Sequence, residues 1–164
     1  MCRHSGRRSE PVSVKVIEKR FEIGASTDAL FCSIQSKRIA SQVGFGSRSQ
    51  WELAIAVKEL VTNALSHAGG GIFIIRAYQG VKSGEEPKVS LEIEVEDSGP
   101  GIEDLGTALM DGYSRGRFVD GENFAPDRQS LGAGLGTVKR LMDSVRFQNK
   151  TEGGLLVRAY KYLA

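Results

Sequence analysis

One segment of this chain constrains its fold more than any other. From Val89 to Glu96, four apolar residues alternate strictly with a serine and three glutamates. This two-residue period is typical of an antiparallel strand that has one face on an apolar core and the other in water. The strand is predicted to end at Asp97. The segment therefore indicates a sheet with one covered face and one exposed face.

Further strands are predicted around this one. Alternation and apolar residues over 12–23 indicate one or two edge strands. The nearly continuous apolar run over 72–78 is typical of a strand that is buried on both faces. Two more strands are predicted near residues 146–149 and 155–162, and Gly153-Gly154 joins them.

Three long helices are predicted from apolar steps of three and four residues. The first is capped by one of residues 26–28 and ends at Gly44. The second begins at a Ser-x-x-Glu capping box over residues 49–52 and runs to about Ala68, and the third begins near Leu135. Their apolar positions, in chain order, are Leu30, Ile34, Ile39, Ala40 and Val43; Leu53, Val57, Leu60 and Ala64; and Val138, Leu141, Met142 and Val145.

The order of these elements predicts a single α+β domain over residues 12–164. The chain has 164 residues, the usual size of one domain, and we expect a two-layer sandwich with helices on one face of a mixed, mainly antiparallel sheet. Residues 1–11 are predicted to form a flexible basic tail. A short helical piece is expected at 104–111, and the aperiodic segment near 112–131 is typical of a lid or binding loop.

Charge and cysteine content argue against several classes of protein. Lys and Arg number 22 against 20 for Asp and Glu, so there is no electrostatic reason to expect nucleic acid as a partner. No apolar run follows the basic tail, so we expect neither a signal peptide nor a membrane anchor. Cys2 and Cys32 provide neither a disulfide framework nor metal-ligand spacing, which favours the reducing cytoplasm.

Glu59 and Asn63 are the first candidate functional pair. Four-residue spacing places both side chains on one face of the second predicted helix. There an Asn63 oxygen could bind a hard cation while Glu59 accepts a proton nearby. Taken alone, the pair is more simply explained as a solvated Glu and Asn on a surface helix.

Two glycine-containing clusters complete the set. Asp97 stands at a predicted strand end, where its carboxylate could accept a hydrogen bond from a purine amino group, and Gly99 and Gly101 would let the backbone approach a flat base. An ordinary Asp-Gly-Pro turn is the structural alternative. The stretch from Gly132 to Gly136 precedes a predicted helix, whose positive end and glycine amides suit phosphate. A Walker-type motif is absent from the sequence.

The joint order of these clusters resembles the GHKL superfamily, named from gyrase, histidine kinases and MutL, whose nucleotide pocket is the Bergerat fold. The resemblance covers residues 21–164. Within the superfamily, the short chain and the stretches 43–46, 112–114 and 131–136 resemble the RsbT-like serine kinases, which are related to the anti-sigma-factor kinases RsbW and SpoIIAB. The chain has no pair of dimerisation helices with a phosphoacceptor histidine, which argues against a histidine kinase proper.

The resemblance implies a function and a set of residue roles. The cofactors are ATP and Mg²⁺, and the expected substrate is a serine or threonine of a STAS-domain antagonist or scaffold protein in a bacterial partner-switching module, with a sigma factor or a phosphatase as a further partner. The implied roles are general base for Glu59, magnesium ligand for Asn63, adenine contact for Asp97, adenine pocket for Gly99 and Gly101, and phosphate binding for Gly132, Gly134 and Gly136.

Two rivals to a kinase, and several individual residues, stay open at this point. A nucleotide-binding anti-sigma factor or switch protein that sequesters its partner would need the same pocket, and so would an ATPase subunit of a larger machine. The charged insert over 115–130 departs from the RsbT-like pattern; Arg115, Arg117 and Arg128 either reach the γ-phosphate or solvate the loop. The helix dipole explains His67 more simply than chemistry does. Packing in the core or at an interface does so for Trp51 and Cys32.

Overall fold

The computed structural model describes residues 12–81, 88–109, 113–114, 117–118 and 134–164. Residues of the predicted tail, and most of the predicted lid, therefore lie outside the described part. No described helix has the length and apolarity needed to cross a membrane. The elements are β1 Val12–Ile23, α1 Asp28–Gln42, α2 Ser47–Ala68, β2 Gly71–Val81, β3 Lys88–Glu96, α3 Leu105–Ala108, β4 Tyr113–Ser114, β5 Arg117–Phe118, α4 Gly134–Leu141, β6 Ser144–Asn149 and β7 Leu155–Tyr162.

Five of the strands form one sheet in the order β1-β2-β3-β7-β6. Every pairing in the described sheet is antiparallel, so the predicted α+β class is confirmed and the sheet is purely antiparallel rather than mixed. β1 is an edge strand as predicted, with a bulge between Lys15 and Ile17. Strands β4 and β5 form a separate two-residue ladder inside the segment predicted as a lid.

The core lies between the helices and one face of the sheet. Leu91, Ile93 and Val95 of β3 are buried, and their register partners on β2 include Phe73 and Ile75, which are also buried. α2 covers these strands and has α1 on one flank and α4 on the other. The alternation in β3 thus correctly identifies its covered face. The apolar stripe predicted for α2 is also confirmed as core.

Ion pairs between arginines and glutamates cover part of the opposite face of the sheet. The Arg76 guanidinium binds Glu18 at 2.7 Å and Glu92 at 2.5 Å, and Arg158 binds Glu94 at 2.6 Å. Burial alone would lower the pKa of Arg76, but the hydrogen bonds to Glu18 and Glu92 outweigh it and raise that pKa. Glu94, predicted to face water, is consequently buried beneath arginine side chains.

The predicted apolar face of α1 is wrong in its first half. Leu30 and Ile34 are more than half exposed, while the smaller Ala29, Cys32 and Ser36 are buried. Small side chains let α1 approach α2 closely, and the Ser36 hydroxyl donates to the Cys32 carbonyl at 2.7 Å, so its burial leaves no unsatisfied donor. The C-terminal half agrees with the prediction: Ile39 and Ala40 are buried, and Gly44 follows the helix with a positive φ of 93°.

The predicted capping box at residues 49–52 is also wrong. The N-cap is Gly46, three residues before the predicted Ser49; it is extended and provides no side-chain cap, and α2 begins at Ser47. Glu52 instead binds Lys161 of β7 at 2.7 Å and Arg48 at 2.9 Å.

The ends of α3 and α4 also differ from the predictions. The short helix expected at 104–111 is limited to the single turn of α3. α4 ends at Leu141, so Val145, predicted as a helical apolar position, belongs to β6.

Candidate nucleotide-binding site

Helix α2 carries two of the candidate side chains. Glu59 is only 4% exposed, and Asn63, one turn later on the same face, is half-buried. Removing a carboxylate from water is costly unless its surroundings compensate, and Glu59 does interact with other groups of the chain. The simple surface alternative for this pair is therefore wrong for Glu59.

Asp97 follows β3 and is held by backbone amides. Its Oδ1 accepts hydrogen bonds from Gly99 N at 2.9 Å and from Leu155 N at 3.1 Å. Within the described residues both hydrogen bonds of the carboxylate go to this one oxygen, so Oδ2 is the atom that can accept from a ligand. The side chain is buried and oriented, as a contact to a purine amino group requires.

Gly99 packs the turn after Asp97 against the end of α2. A Cβ at Gly99 would lie 2.8 Å from the Ala68 Cβ and 3.1 Å from the His67 carbonyl oxygen, closer than a side chain can sit. The space at Gly99 is therefore filled by the protein itself. This packing explains the glycine without a ligand, and a contact of Gly99 with adenine stays a prediction.

Gly101 has a positive φ of 76°, and Asn149 of β6 clamps its turn. Asn149 Oδ1 accepts from Ile102 N at 2.9 Å, and Asn149 Nδ2 donates to Ile102 O at 2.8 Å. A Cβ at Gly101 would meet Asn149 Oδ1 at 2.6 Å. The role of Gly101 in an adenine pocket likewise stays a prediction.

The hairpin between β6 and β7 supports Asp97, which sequence reasoning missed. Lys150 Nζ donates to the Asp97 carbonyl at 3.0 Å and to Glu96 Oε1 at 2.7 Å. Gly154, with a φ of 106°, lies so close that a Cβ there would be 2.1 Å from the Asp97 carbonyl oxygen. The only sequence signal for this contact is Gly153-Gly154, which predicts a turn but not the strand end that the turn touches.

The third glycine cluster is described in part. Gly134 begins α4 with a positive φ of 55°, and Gly136 is buried in the first turn. Leu135 and Val138 are buried on the same helix, which packs against α2. The backbone amides of this first turn have no partner within the helix and can bind an anion. Gly132 and Arg115 lie outside the described residues, so nothing is added to their predicted roles.

These elements bring three candidate clusters next to one helix. The turn after Asp97 contacts the last turn of α2, α4 packs on α2, and Asn63 lies about 7.5 Å along the helix axis before Ala68. No group of three His, Cys, Asp or Glu side chains able to hold a metal occurs in the described part of the chain. Magnesium in nucleotide sites is commonly bound through one or two protein oxygens together with phosphate oxygens, so the magnesium role of Asn63 stays a prediction.

The other singled-out residues are Cys32, Trp51, His67 and the arginines of the predicted lid. Burial, with the Asp28 charge adding to it, raises the pKa of Cys32 to about 11, so its thiol is not a nucleophile at neutral pH. Trp51 is largely exposed, so it is not core. His67 is exposed at the end of α2. Arg128 lies outside the described residues, and Arg117 is described only as part of β5.

The chain is similar to known proteins over most of its length. Residues 34–161 match the family model described as a histidine kinase-like ATPase domain. The chain is also 32% identical over 127 residues to the serine/threonine-protein kinase RsbT of Bacillus subtilis (strain 168). That alignment covers 77% of this chain and 83% of the relative. The matched family segment includes every described candidate residue from Glu59 to Gly136.

Proposed function

We infer the function from one premise: this chain belongs to the histidine kinase-like ATPase domain family and, within it, to the RsbT-like serine/threonine kinases. The chain is a protein kinase that binds ATP and transfers the γ-phosphoryl group to a serine or threonine of another protein. The observation that carries this proposal is the burial of Glu59 on the helical face that also carries Asn63. The amide-fixed Asp97, whose following turn contacts the end of the same helix, adds to it.

Each candidate group has a defined task in the proposed reaction. Asp97 Oδ2 accepts from the adenine amino group, and the α4 amides at Gly134 and Gly136, together with Gly132, bind the phosphates. Asn63 provides an oxygen for Mg²⁺, which when bound neutralises phosphate charge. The substrate hydroxyl oxygen forms a bond to the γ-phosphorus, the bond from that phosphorus to the β–γ bridging oxygen breaks, ADP leaves, and Glu59 receives the hydroxyl proton.

The proposed substrate is a small STAS-domain antagonist or scaffold protein of a partner-switching module in the cytoplasm. Phosphorylation of that protein would release the kinase to bind a further partner, such as a phosphatase or a sigma factor. The support is the kinase identity of the relative and the bacterial modules in which the resembling kinases work. The charged insert at 115–130 is the sequence feature most suited to setting substrate choice, and Arg115 is its candidate phosphate contact.

A phosphoryl-transfer assay tests the activity. The protein is mixed with γ-labelled ATP, Mg²⁺ and the STAS-domain protein encoded nearest to it, and labelled serine or threonine is quantified. Glu59→Ala should abolish transfer but keep ATP binding, while the exposed Glu22→Ala serves as the matched control. Tight partner binding without any transfer by the unmodified protein would contradict the kinase proposal and favour the sequestering switch protein.

A second variant tests the metal site. Asn63→Ala should weaken ATP binding much more in the presence of Mg²⁺ than with EDTA, because it removes a proposed ligand of the ion. Equal losses in both conditions would remove Asn63 from the metal site without affecting the Glu59 test.

A further inference from the structure

Four large apolar side chains on α1 and α2 remain exposed in this fold. Leu30, Phe31, Ile34 and Trp51 are 59%, 48%, 53% and 57% exposed, and we call them the α1 patch. Leu30, Phe31 and Ile34 are neighbours at helical spacings of three and four residues. Lys37, one turn after Ile34, places its Nζ 3.6 Å from the centre of the Trp51 ring and so connects both helices. Grouped exposed apolar residues of this size are typical of interaction sites.

Ring contacts with the core hold the α1 patch in place. The Phe31 ring meets Phe21 of β1 edge-on at 5.5 Å, and Phe21 in turn stacks on the buried Phe73. The base of the patch is therefore continuous with the core. A preformed surface of this kind loses little conformational entropy when a partner covers it.

Trp51 of the patch lies on the same helix as two candidate site residues. Along the axis of α2 it precedes Glu59 by about 12 Å and precedes Ala68, which the turn after Asp97 contacts, by about 25 Å. α1 contacts β1 and α4 contacts β6, which are at opposite edges of the sheet. The patch is therefore separate from the turn after Asp97 and from α4.

The charges around the patch are mainly basic. Lys37, Arg38 and Arg48 surround it, and the Arg48 side chain is almost fully exposed. The two nearest acids are engaged: Asp28 Oδ2 accepts from the amides of Gly24 and Ala25, both at 2.8 Å. Glu52 is bound by Lys161 and Arg48. Arg48 shares Glu52 with Lys161, and Lys37 and Arg38 form no ion pair within the described residues, so positive charge exceeds negative charge around the apolar centre and favours an acidic partner.

We propose that the α1 patch is a docking site for an amphipathic helix of a partner protein, with an apolar stripe and acidic flanks. The stripe covers Leu30, Phe31 and Ile34 and packs against Trp51, while the acidic flanks meet Arg38 and Arg48. A second copy of this chain is a poorer occupant, because its own patch would present a basic rim without an unengaged acid. The inference is independent of the proposed kinase activity.

Trp51 is the single tryptophan of the chain, so its fluorescence reports directly on the patch. Two synthetic amphipathic helices with the same leucine stripe, one with glutamate flanks and one with lysine flanks, are titrated into the full chain without nucleotide. We expect the acidic peptide to shift Trp51 emission to shorter wavelength, to bind at least about tenfold more tightly than the basic peptide, and to weaken with salt. Ile34→Ser should remove binding, and this exposed site should not affect folding.

Charge reversal supplies the decisive comparison. Arg38→Glu combined with Arg48→Glu should reverse the preference in favour of the lysine-flanked peptide, while circular dichroism verifies the fold. Absence of a shift with either peptide, or equal affinity for both, overturns the proposal. An emission shift that depends on protein concentration without peptide also overturns it and assigns the patch to a second copy. None of these outcomes depends on ATP or transfer, so failure here is distinct from failure of the kinase proposal.

Discussion

Helices α1 and α2 lie side by side over the same sheet, yet their apolar residues have different roles. In α2, the stripe of Leu53, Val57, Leu60 and Ala64 is buried throughout. In α1, large residues such as Leu30 point to solvent and small residues such as Ala29 meet the core. Helical periodicity therefore identifies an apolar face, but it does not show whether that face meets the core or a partner.

The difference has consequences for function. α2 is held on both flanks and carries Glu59 and Asn63, so these side chains have a rigid support. α1 contributes the α1 patch, which is available to another molecule. The comparison divides the helical layer into a segment that builds the candidate site and a segment suited to recognition. The following predictions test that division.

A leucine-to-alanine pair measures the contrast directly. Leu60→Ala in α2 should lower the free energy of unfolding by about 2–5 kcal/mol, because it removes buried methyl groups and leaves a cavity. Leu30→Ala in α1 should change it by less than about 0.5 kcal/mol, because that side chain is mostly in water. Urea denaturation gives both values, and similar losses in the two variants would contradict the assigned burial.

Lys161 provides the next largest effect, because it attaches α2 to β7. It is only 5% exposed, binds Glu52 at 2.7 Å and donates to the Leu141 carbonyl at the end of α4, also at 2.7 Å. Lys161→Met should cost about 1–3 kcal/mol, because it leaves a partly buried carboxylate and a carbonyl with fewer partners.

Lys15→Met is the matched control for this variant. Its exposed pair with Glu18 should contribute less than the Lys161 pair, because solvent screens exposed charges. Urea denaturation of both variants provides the test. If Lys15→Met lowered the free energy of unfolding as much as Lys161→Met, burial of the Lys161 pair would add no stability beyond that of an exposed pair.

The pH dependence of stability should show a smaller effect of the same ion pair. The hydrogen bond from Lys161, followed by that from Arg48, lowers the pKa of Glu52 below its ordinary value of 4.5. A carboxyl whose folded pKa is depressed stabilises the protein above its unfolded pKa, and that contribution is lost as the pH falls through the folded pKa. We expect a few tenths of a kcal/mol from this solvent-accessible group.

Urea denaturation at pH 7 and below pH 4 measures this effect. The unmodified protein should lose more stability on acidification than Lys161→Met, in which the main cause of the lowered pKa is absent. An identical dependence in both proteins would contradict the assigned cause.

Much of the fold follows from short-range patterns in the sequence. β3, β7 and the end of α2 agree with prediction because alternation and the glycines at 69–71 are local signals. The start of α2 was missed because Glu52 is engaged by Lys161, which is more than 100 residues away in sequence. The buried half of α1 was missed because close helix packing favours small residues that carry a weak hydrophobic signal.

The prediction of the candidate site likewise succeeds where the signal is local and fails where the contacts are distant in sequence. Glu59, Asn63 and Asp97 stand out through spacing and strand position, and the structure places them on or beside α2. Asn149 and Lys150 were missed, because their contacts to the turn after Asp97 come from a hairpin about 50 residues later. The sequence predicts that the glycines at 99 and 101 shape a ligand pocket, whereas the structure explains both glycines by their close packing against other parts of the protein.

ATP titration calorimetry of an Asp97 variant shows whether Asp97 belongs to a nucleotide site. Asp97→Asn keeps an oxygen for the Gly99 and Leu155 amides, so the fold should persist, but it replaces the charged acceptor for adenine with an amide. We predict a loss of ATP affinity of about tenfold or more relative to the unmodified chain and to the exposed control Glu22→Gln. Equal affinity in all three proteins would contradict the account.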